Sequence, residues 1–354
     1  MQTTAPKQIL TLPPHYKPSN AEVWGYTPST GSLLTAAGPW AQQFGITHAA
    51  TDKRKVHLVL IDGQNDFTLP QGTLYVGGQS GTGAIEDCKR TAEFIYRELG
   101  NISQITPTLD THVPFQIFFP SFWVDSSGNH PAEHTEVHVD DILSGRLQPD
   151  SAMAQLSQSN YPWLLDYVTH YCRQLAKDGK YTLYLWPFHC QLGTVGHALN
   201  GVLAEAIAFH SFTRYALMAP QIKGNSPFTE NYSVLGPEVE KAHDGRSMGQ
   251  KNTRFIDDLL SADYTVMLGQ AASHCVASSI DDFLDQILAR DPALASKVYV
   301  VRDCMSAVAV PDGKGGFFAD FTPQAEAALK KFADHGMHVV ESTTPMADWP
   351  DMKL

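Results

Sequence analysis

Three side chains with catalytic potential follow apolar runs of strand length in this sequence. Asp62 ends the run in LVLIDGQNDF, Lys223 ends the run in APQIKG, and Cys275 follows the run in MLGQAASHC. A carboxylate that is partly removed from water has a raised pKa and suits a general base. A lysine can stabilise a thiolate or an oxyanion as a point charge, and a cysteine can attack a carbonyl carbon. The set therefore predicts nucleophilic catalysis by Cys275.

Cys275 lies where a predicted strand passes into a predicted helix. The free N–H groups and the partial positive charge of a helix N-terminus favour a thiolate and can bind an oxyanion. Each of the three residues also has an ordinary interpretation. Asp62 would then cap a turn, Lys223 would be a solvated surface lysine, and Cys275 would be a buried structural cysteine.

A second group of residues has the chemistry of a metal site. Asp110 and His112 stand two apart in LDTHVPFQ, and His189 follows another apolar run in LWPFHCQLGT. Positions i and i+2 of an extended segment point to the same side. Carboxylate and imidazole together suit a divalent metal, with Zn²⁺ expected first and Fe²⁺ or Mn²⁺ as alternatives. The other interpretation is that these are ordinary loop residues; Cys190, beside His189, is interpreted as structural.

The elements that must position these side chains alternate along the chain. Apolar runs of strand length occupy residues 55–62, 102–110, 181–187, 214–223, 263–269, 297–303 and 337–341. Apolar stripes at helical spacing occupy residues 83–100, 164–179, 199–212, 275–290 and 322–336. This alternation predicts an α/β fold, with a doubly wound, mostly parallel sheet of about six strands and helices on both faces. Reactive groups in such sheets collect at the carboxyl ends of the strands.

The segments outside this alternation divide the chain. Residues 1–54 are rich in proline, serine and threonine and predict an N-terminal extended arm that wraps the core. Residues 55–345 form the main domain, with an insertion at about residues 119–160 that we expect to serve as a lid or an interface. Residues 346–354 are expected to form a C-terminal tail.

Composition bounds the partners and the compartment. The 354 residues are 43% hydrophobic and carry a net charge of −12, which argues for a globular protein and against nucleic-acid or membrane partners. There is no apolar run of spanning length, and the first residues do not resemble a secretory signal. Five cysteines are too few for a disulfide scaffold, so a cytoplasmic location is expected. The arm and the insertion need a surface to lie on, which favours a homo-oligomer.

Five motifs resemble those of the nicotinamidase group of the isochorismatase-like cysteine hydrolases. In chain order they are IDGQNDF, LDTH, WPFHCQLGTVG, IKG and GQAASHCVAS, and the resemblance spans residues 55–341. It implies an isochorismatase-like hydrolase fold for the main domain. It further implies that Asp62 is the general base, Lys223 the lysine of the triad and Cys275 the nucleophile.

The resemblance also assigns the rest of the site. It implies that Asp110, His112 and His189 bind the divalent metal, and that the backbone N–H groups of Ala271 and Cys275 form the oxyanion hole. The peptide bond that is cis in relatives corresponds to Gln270–Ala271. Two aromatic side chains are implied to flank the pyridine ring of the substrate, and these are Phe67 and Trp186.

The chain departs from the family pattern at several positions. Gln116 stands where some nicotinamidases have a further histidine ligand, so Gln116, Glu133, His134 or water would have to complete the metal shell. The insertion histidines are interpreted as surface residues; they are His130, His134 and His138. Gly63 and Gln270 replace more usual apolar residues.

The expected reaction is hydrolysis of a small-molecule amide through a Cys275 thioester, with nicotinamide giving nicotinate and ammonia. A related hydrolase acting on a carbamoyl, ureido or maleamate-like amide is the first alternative. A carboxylate substrate would need an arginine near the site, and the candidates are Arg146, Arg246 and Arg254. The second alternative is that the metal activates water directly, and the third is that the protein is a non-catalytic member of the same fold.

Overall fold

The computed structural model describes residues 9–177 and 181–354. Within them the strands are β1 Val56–Ile61, β2 Gln104–Asp110, β3 Trp123–Asp125, β4 Glu136–Val137, β5 Leu147–Pro149, β6 Leu183–Tyr184, β7 Gln221–Lys223, β8 Tyr264–Gly269, β9 Val298–Val301, β10 Ala309–Pro311, β11 Phe317–Asp320 and β12 His338–Val340. The α-helices are α1 Thr30–Phe44, α2 Asn65–Thr68, α3 Gly83–Arg97, α4 Val139–Ser144, α5 Met153–Leu156, α6 Tyr161–Lys177, α7 Gly201–Arg214, α8 Thr253–Ser261, α9 Ala277–Arg290 and α10 Thr322–Asp334.

Six strands form one sheet in the order β12-β9-β8-β1-β2-β7. All five strand pairs are parallel, which confirms the predicted α/β fold. The central strands β1 and β8 are buried along their whole length. Parallel strands covered on both faces read as continuous apolar runs, and this is why their sequences were recognisable.

Helices cover both faces because alternate side chains of each strand point to opposite sides. Val59 and Ile61 of β1 pack into one core, together with residues of α6, α9 and α10. Leu58 and Leu60 pack into a second core, together with residues of α1, α3 and α7. The sheet thus lies between two layers of helices, which leaves the ends of its strands as the places where a substrate can reach it.

The chain order places the candidate residues at one point of this sheet. From β1 the chain proceeds outward to β2 and β7, and it then returns to add β8, β9 and β12 on the other side of β1. Ligands of open α/β sheets bind where the strand order reverses, outside the carboxyl ends. Asp62 follows β1 and Cys275 follows its neighbour β8, while Asp110 and Lys223 end β2 and β7.

The prediction of an extended conformation for residues 1–54 is wrong for one part of this range. Thr30–Phe44 is a helix that packs against α7, and it buries Leu33, Ala37 and Trp40 at helical spacing. Gly38 and Pro39 interrupt the apolar pattern in its middle and hid it from sequence analysis. The described part of the arm, residues 9–54, lies on the core of its own chain, so its own chain supplies the surface that it was expected to need in an oligomer. A homo-oligomer stays a prediction.

The predicted strand at residues 181–187 does not join the main sheet. Only Leu183–Tyr184 is a strand, and it pairs with Glu136–Val137 of the insertion in antiparallel fashion. The backbone that follows also hydrogen bonds to the insertion, through Leu185 to Thr135 and Trp186 to Phe118. The place beside β2 is taken by β7. The sequence correctly predicted a strand here, but its partner strand lies in the insertion, which was expected to stand outside the alternating pattern.

Other boundaries also differ from the predictions. Of residues 214–223 only the last three are a strand, since α7 continues to Arg214. The predicted helix at residues 164–179 is α6, and its last predicted positions lie outside the described residues. Helix α8 and the β10–β11 hairpin were not predicted. Residues 346–354 pack on the core, where Trp349 stacks on Phe94.

The insertion packs onto its own chain. Phe122 and Trp123 are fully buried, and its helices α4 and α5 contact α6. Its three histidines are exposed, as interpreted: His130, His134 and His138. All five cysteines are buried and free. Among the described residues no helix combines the length and the apolar character of a membrane span.

Candidate active site

Lys223 lies at the centre of a buried group of charges. Its Nζ atom is 3.0 Å from Oδ2 of Asp62 and 2.9 Å from Oδ1 of Asp110. It also donates to Sγ of Cys275 at 3.5 Å and to the backbone carbonyl oxygen of Asn231 at 3.0 Å. The structure therefore brings together the acid, the lysine and the cysteine that the sequence predicted, although they come from three different strand ends.

Asp62 is held in place by the neighbouring strand. The hydroxyl of Thr108 donates to Oδ1 of Asp62 and accepts from its backbone N–H. The residue has a φ of 46°, in the left-handed region that aspartate tolerates better than most residues. This turn directs the carboxylate toward Lys223 and Cys275 and away from the sheet.

Burial and charge act in opposite directions on the three groups. Burial raises the pKa of Asp62, and Lys223 only partly offsets this effect. Although burial alone would lower the pKa of Lys223, the carboxylates of Asp110 and Asp62 raise it well above its ordinary value. Lys223 is thus a permanent cation, and Asp62 has the raised proton affinity that a general base needs.

The helix N-terminus was expected to favour a thiolate at Cys275, and in the structure burial acts in the opposite direction. Burial raises the pKa of the Cys275 thiol well above its ordinary value, and the carboxylates of Asp62 and Asp110 add to this effect while Lys223 opposes it. Cys275 lies in a π-helical turn, Ala272–Val276, that leads into α9. Burial thus favours the thiol form of Cys275, and its activation requires the base.

Asp110, His112 and His189 form the predicted metal cluster. One potential ligand atom from each lies within 4.8 Å of the others. Nε2 of His112 is 2.8 Å and Nε2 of His189 is 3.6 Å from Oδ2 of Asp110. The opposite ring nitrogens face backbone carbonyl oxygens, Nδ1 of His112 that of Gly224 and Nδ1 of His189 that of Pro187. Such outer contacts fix the tautomer and orientation of metal-binding histidines.

The surroundings of the cluster fit a divalent metal. Burial would raise the pKa of Asp110, but His112 and Lys223 lower it well below its ordinary value, so this carboxyl group stays ionised. Lys223 thus faces two buried carboxyl groups, those of Asp62 and Asp110. Gly224 has a φ of +78°, and a Cβ there would lie 2.6 Å from Oδ1 of Asp110 and 2.8 Å from Cε1 of His112. Glycine at position 224 therefore lets the backbone lie close to the side chains of Asp110 and His112.

The candidates for a further ligand do not join the cluster. Gln116 is buried, and its amide nitrogen donates to the backbone carbonyl oxygens of Gly224 and Ser226. Glu133 and His134 lie exposed in the insertion. Cys190 is fully buried with a φ of 45°, and it packs in a small apolar cluster beside Phe67. Water is the remaining option for completing the shell.

A narrow cavity of about 30 Å³ lies beside Cys275. Its lining includes the predicted substrate-contacting aromatics Phe67 and Trp186, the predicted oxyanion residue Ala271, and two of the metal-cluster residues. The Gln270–Ala271 peptide bond is cis, as the family resemblance implied. A single water needs about 10–15 Å³ measured in this way, so the cavity accommodates a group the size of a carboxamide.

Sequence analysis missed six residues that line this cavity: the apolar Leu74, Val76 and Val308, and the polar Glu230, Tyr232 and His274. Nε1 of Trp186 donates to the hydroxyl of Tyr232 at 2.8 Å, and Tyr232 interacts with the nearby carboxyl group of Glu230. Burial raises the pKa of Glu230 well above its ordinary value. Glu230 and Tyr232 come from the long loop between β7 and α8, which has no periodicity. His274 lies in the π-helical turn beside Cys275, where the SHC motif offered a signal.

Comparison with models of protein families found no match, and comparison with curated proteins found none either. Similar solved structures include the Acinetobacter baumanii nicotinamidase and pyrazinamidase, at 20% identity and a TM-score of 0.46 over 83% of this chain and 99% of that one. The yeast nicotinamidase bound to nicotinaldehyde has 17% identity and a TM-score of 0.47 over 81% and 99%. The Pyrococcus horikoshii pyrazinamidase in complex with zinc has 15% identity and a TM-score of 0.42 over 81% and 99%.

Proposed function

We propose that this protein is a cysteine amidohydrolase of the nicotinamidase type, which hydrolyses an aromatic amide such as nicotinamide to the acid and ammonia. One observation carries the proposal: Nζ of Lys223 contacts both Oδ2 of Asp62, at 3.0 Å, and Sγ of Cys275, at 3.5 Å, beside a narrow cavity. A buried base, cation and thiol in mutual contact suit acyl transfer through a cysteine. The motif resemblance supports the same reaction.

The chemistry follows from the protonation states. Asp62 accepts the thiol proton of Cys275, and Sγ attacks the amide carbon while Lys223 stabilises the developing anion. The N–H groups of Ala271 and Cys275 hold the tetrahedral oxyanion. The C–N bond then breaks, and Asp62 delivers its proton to the departing ammonia. Water, deprotonated by Asp62, attacks the thioester, and the proton returns to the sulfur as the C–S bond breaks.

The metal has a separate place in this proposal. Asp110, His112 and His189 would hold it, and when bound it would orient a nitrogen of the substrate, directly or through water. Lys223 connects the two halves of the site because it contacts Asp62 and Asp110 at once. The chain's own residues therefore supply the nucleophile, the base and the oxyanion contacts.

An anionic amide such as a maleamate is a poorer fit. Among the described residues no arginine lines the cavity. Arg146 pairs with Asp141 on the surface, Arg246 lies over the ring of Trp163, and Arg254 is exposed. The charged groups close to Cys275 include two carboxylates, which would repel a carboxylate substrate.

Ammonia release from nicotinamide by the purified protein tests the proposal. We expect release by the wild type and none by Cys275→Ala. The matched control is Cys172→Ala, because Cys172 is also a buried free thiol but lies in α6 away from the cavity. Turnover that survives in Cys275→Ala would exclude the covalent mechanism, and a wild type inactive on aromatic amides would exclude the function.

A further inference from the structure

A second and much larger cleft adjoins the catalytic cavity. Its volume is about 540 Å³, against about 30 Å³ for the cavity beside Cys275. The two spaces share one wall, formed by Trp186, Tyr232 and His274. Sites for small molecules commonly have volumes of about 300–1,000 Å³. The cleft has this size, whereas the catalytic cavity accommodates little more than the reacting group.

Segments outside the catalytic motifs build this cleft. One side comes from the insertion and the strand paired with it, through Glu136 and Tyr184. Another part comes from the β10–β11 hairpin and α10, through Phe318 and Gln324. Phe318 lines the cleft and is 80% exposed, so its ring is accessible to a ligand.

Tyr181 marks a polar contact point within the cleft. Its hydroxyl oxygen is buried and has no hydrogen-bond partner among the described residues. Its ring packs edge-to-face on Tyr232 of the shared wall, with ring centroids 4.9 Å apart. Buried hydroxyl groups without a partner are rare in folded proteins. A ligand in the cleft that carries a hydrogen-bond acceptor would satisfy this one after a small shift of the Tyr181 side chain toward the space that it lines.

Charges along the cleft select against anions. Three carboxylates line it, those of Glu136, Asp281 and Asp282, against the single lysine Lys331. Lys331 is paired with Asp281, and Glu136 with His138. Seven of the fifteen other lining residues are phenylalanine, tyrosine or tryptophan, so a flat uncharged group is the best match.

We propose that the cleft binds the non-reacting part of the substrate, and that this part is an uncharged aryl extension bearing a hydrogen-bond acceptor. The carboxamide would lie beside Cys275, its ring at the shared wall, and the extension in the cleft. The protein would thus prefer aryl amides larger than nicotinamide. This inference rests on the proposed function for turnover, but binding to the cleft can be measured without it.

The test compares benzamide with benzamides that carry a pyridinyl ring at the meta or para position. We expect at least one extended amide to have a kcat/KM ten or more times that of benzamide. Gln324→Trp should reduce this ratio at least ten-fold, because Gln324 is exposed on α10 and lines the cleft. Lys330→Trp is the control, since Lys330 is exposed on the same helix and pairs with Asp334.

Binding of the same compounds to Cys275→Ala, measured by calorimetry, separates the two proposals. Tighter binding of an extended amide than of benzamide, weakened by Tyr181→Phe and by Gln324→Trp, supports the cleft even if no amide is hydrolysed. Hydrolysis of nicotinamide with no preference for any extended amide overturns the inference and leaves the proposed function intact. A preference that Gln324→Trp and Lys330→Trp leave equally unchanged also overturns it.

Discussion

Gln116 and His112 hydrogen bond to the same acceptor, the backbone carbonyl oxygen of Gly224. Nε2 of Gln116 donates to this oxygen at 2.5 Å, and Nδ1 of His112 lies 3.1 Å from it. The side-chain oxygen of Gln116 also accepts from the N–H of Val113. Gln116 therefore holds the backbone that turns Nε2 of His112 toward Asp110, and it does so without being a ligand.

Gln116→Ala should weaken binding of Zn²⁺ by about 10–100-fold, the usual cost of losing an outer contact to a metal ligand. The physical reason is that the Gly224 carbonyl and the His112 ring lose a common anchor. Competition with a chromogenic chelator measures the affinity. Gln155→Ala, at an exposed position of α5, is the matched control. Equal affinity in both variants would show that Gln116 has no positioning role.

Lys223→Met should both inactivate and destabilise the protein. Lys223 contacts the buried carboxyl groups of Asp62 and Asp110, and removing one partner of a buried pair costs roughly 3–5 kcal/mol. Adding Asp62→Asn should restore part of the free energy of unfolding in denaturant titrations, but no activity. Lys330→Met, which breaks an exposed pair, should change stability by less than about 1 kcal/mol. An active Lys223→Met variant would contradict the proposed role.

Removal of the metal distinguishes two mechanisms. If the metal orients the substrate, chelation should raise KM while Cys275 still reacts with an alkylating reagent, because the base and thiol stay in contact. If the metal instead generates the nucleophile, chelation should abolish kcat and Cys275→Ser should stay active. Steady-state kinetics before and after dialysis against a chelator, with Zn²⁺ added back, decide between them.

Two buried histidines should make the fold sensitive to acid. Burial lowers the pKa of His57 to about 4 and that of His210 to about 4, from an ordinary value of 6.5. The unfolded chain therefore binds more protons than the native state below pH 6.5, and stability falls as the pH decreases toward 4. Each histidine should account for a loss of about 3 kcal/mol over this range.

Denaturant titrations of wild type and His57→Gln between pH 7 and pH 4 test this prediction. The variant is expected to be less stable at pH 7, because it loses the hydrogen bond between Nε2 of His57 and the hydroxyl of Thr106. Its free energy of unfolding should nevertheless fall less steeply than that of the wild type. Parallel slopes would show that His57 does not titrate as burial requires.

Much of the site was readable from the sequence because its parts are local. Asp62, Asp110 and Cys275 stand at or just beyond the ends of apolar runs, and parallel strands bring such ends to one edge. The prediction that Asp110 and His112, two residues apart, point to the same side likewise required only an extended backbone. What these inferences share is that residue type and position within a single strand were sufficient.

Other features depended on partners that are distant in sequence. His189 was placed correctly in the metal cluster, but through a strand that does not belong to the main sheet, since the insertion supplies its pairing. The network of Trp186, Tyr232 and Glu230 joins two loops that have no periodicity. Such contacts leave no trace in local patterns because their energy depends on which loops meet.

The sequence by itself thus determined the α/β fold class and predicted the acid, the lysine, the cysteine and the candidate metal cluster that the structure brings together. Only the tertiary structure decided the burial that raises the pKa of Cys275, the backbone hydrogen bonds that occupy Gln116, and the presence of a large cleft beside a small cavity. The reason is physical: residue type sets what a side chain can do, whereas burial and neighbouring charges, which arise from long-range packing, set its pKa and its accessible space.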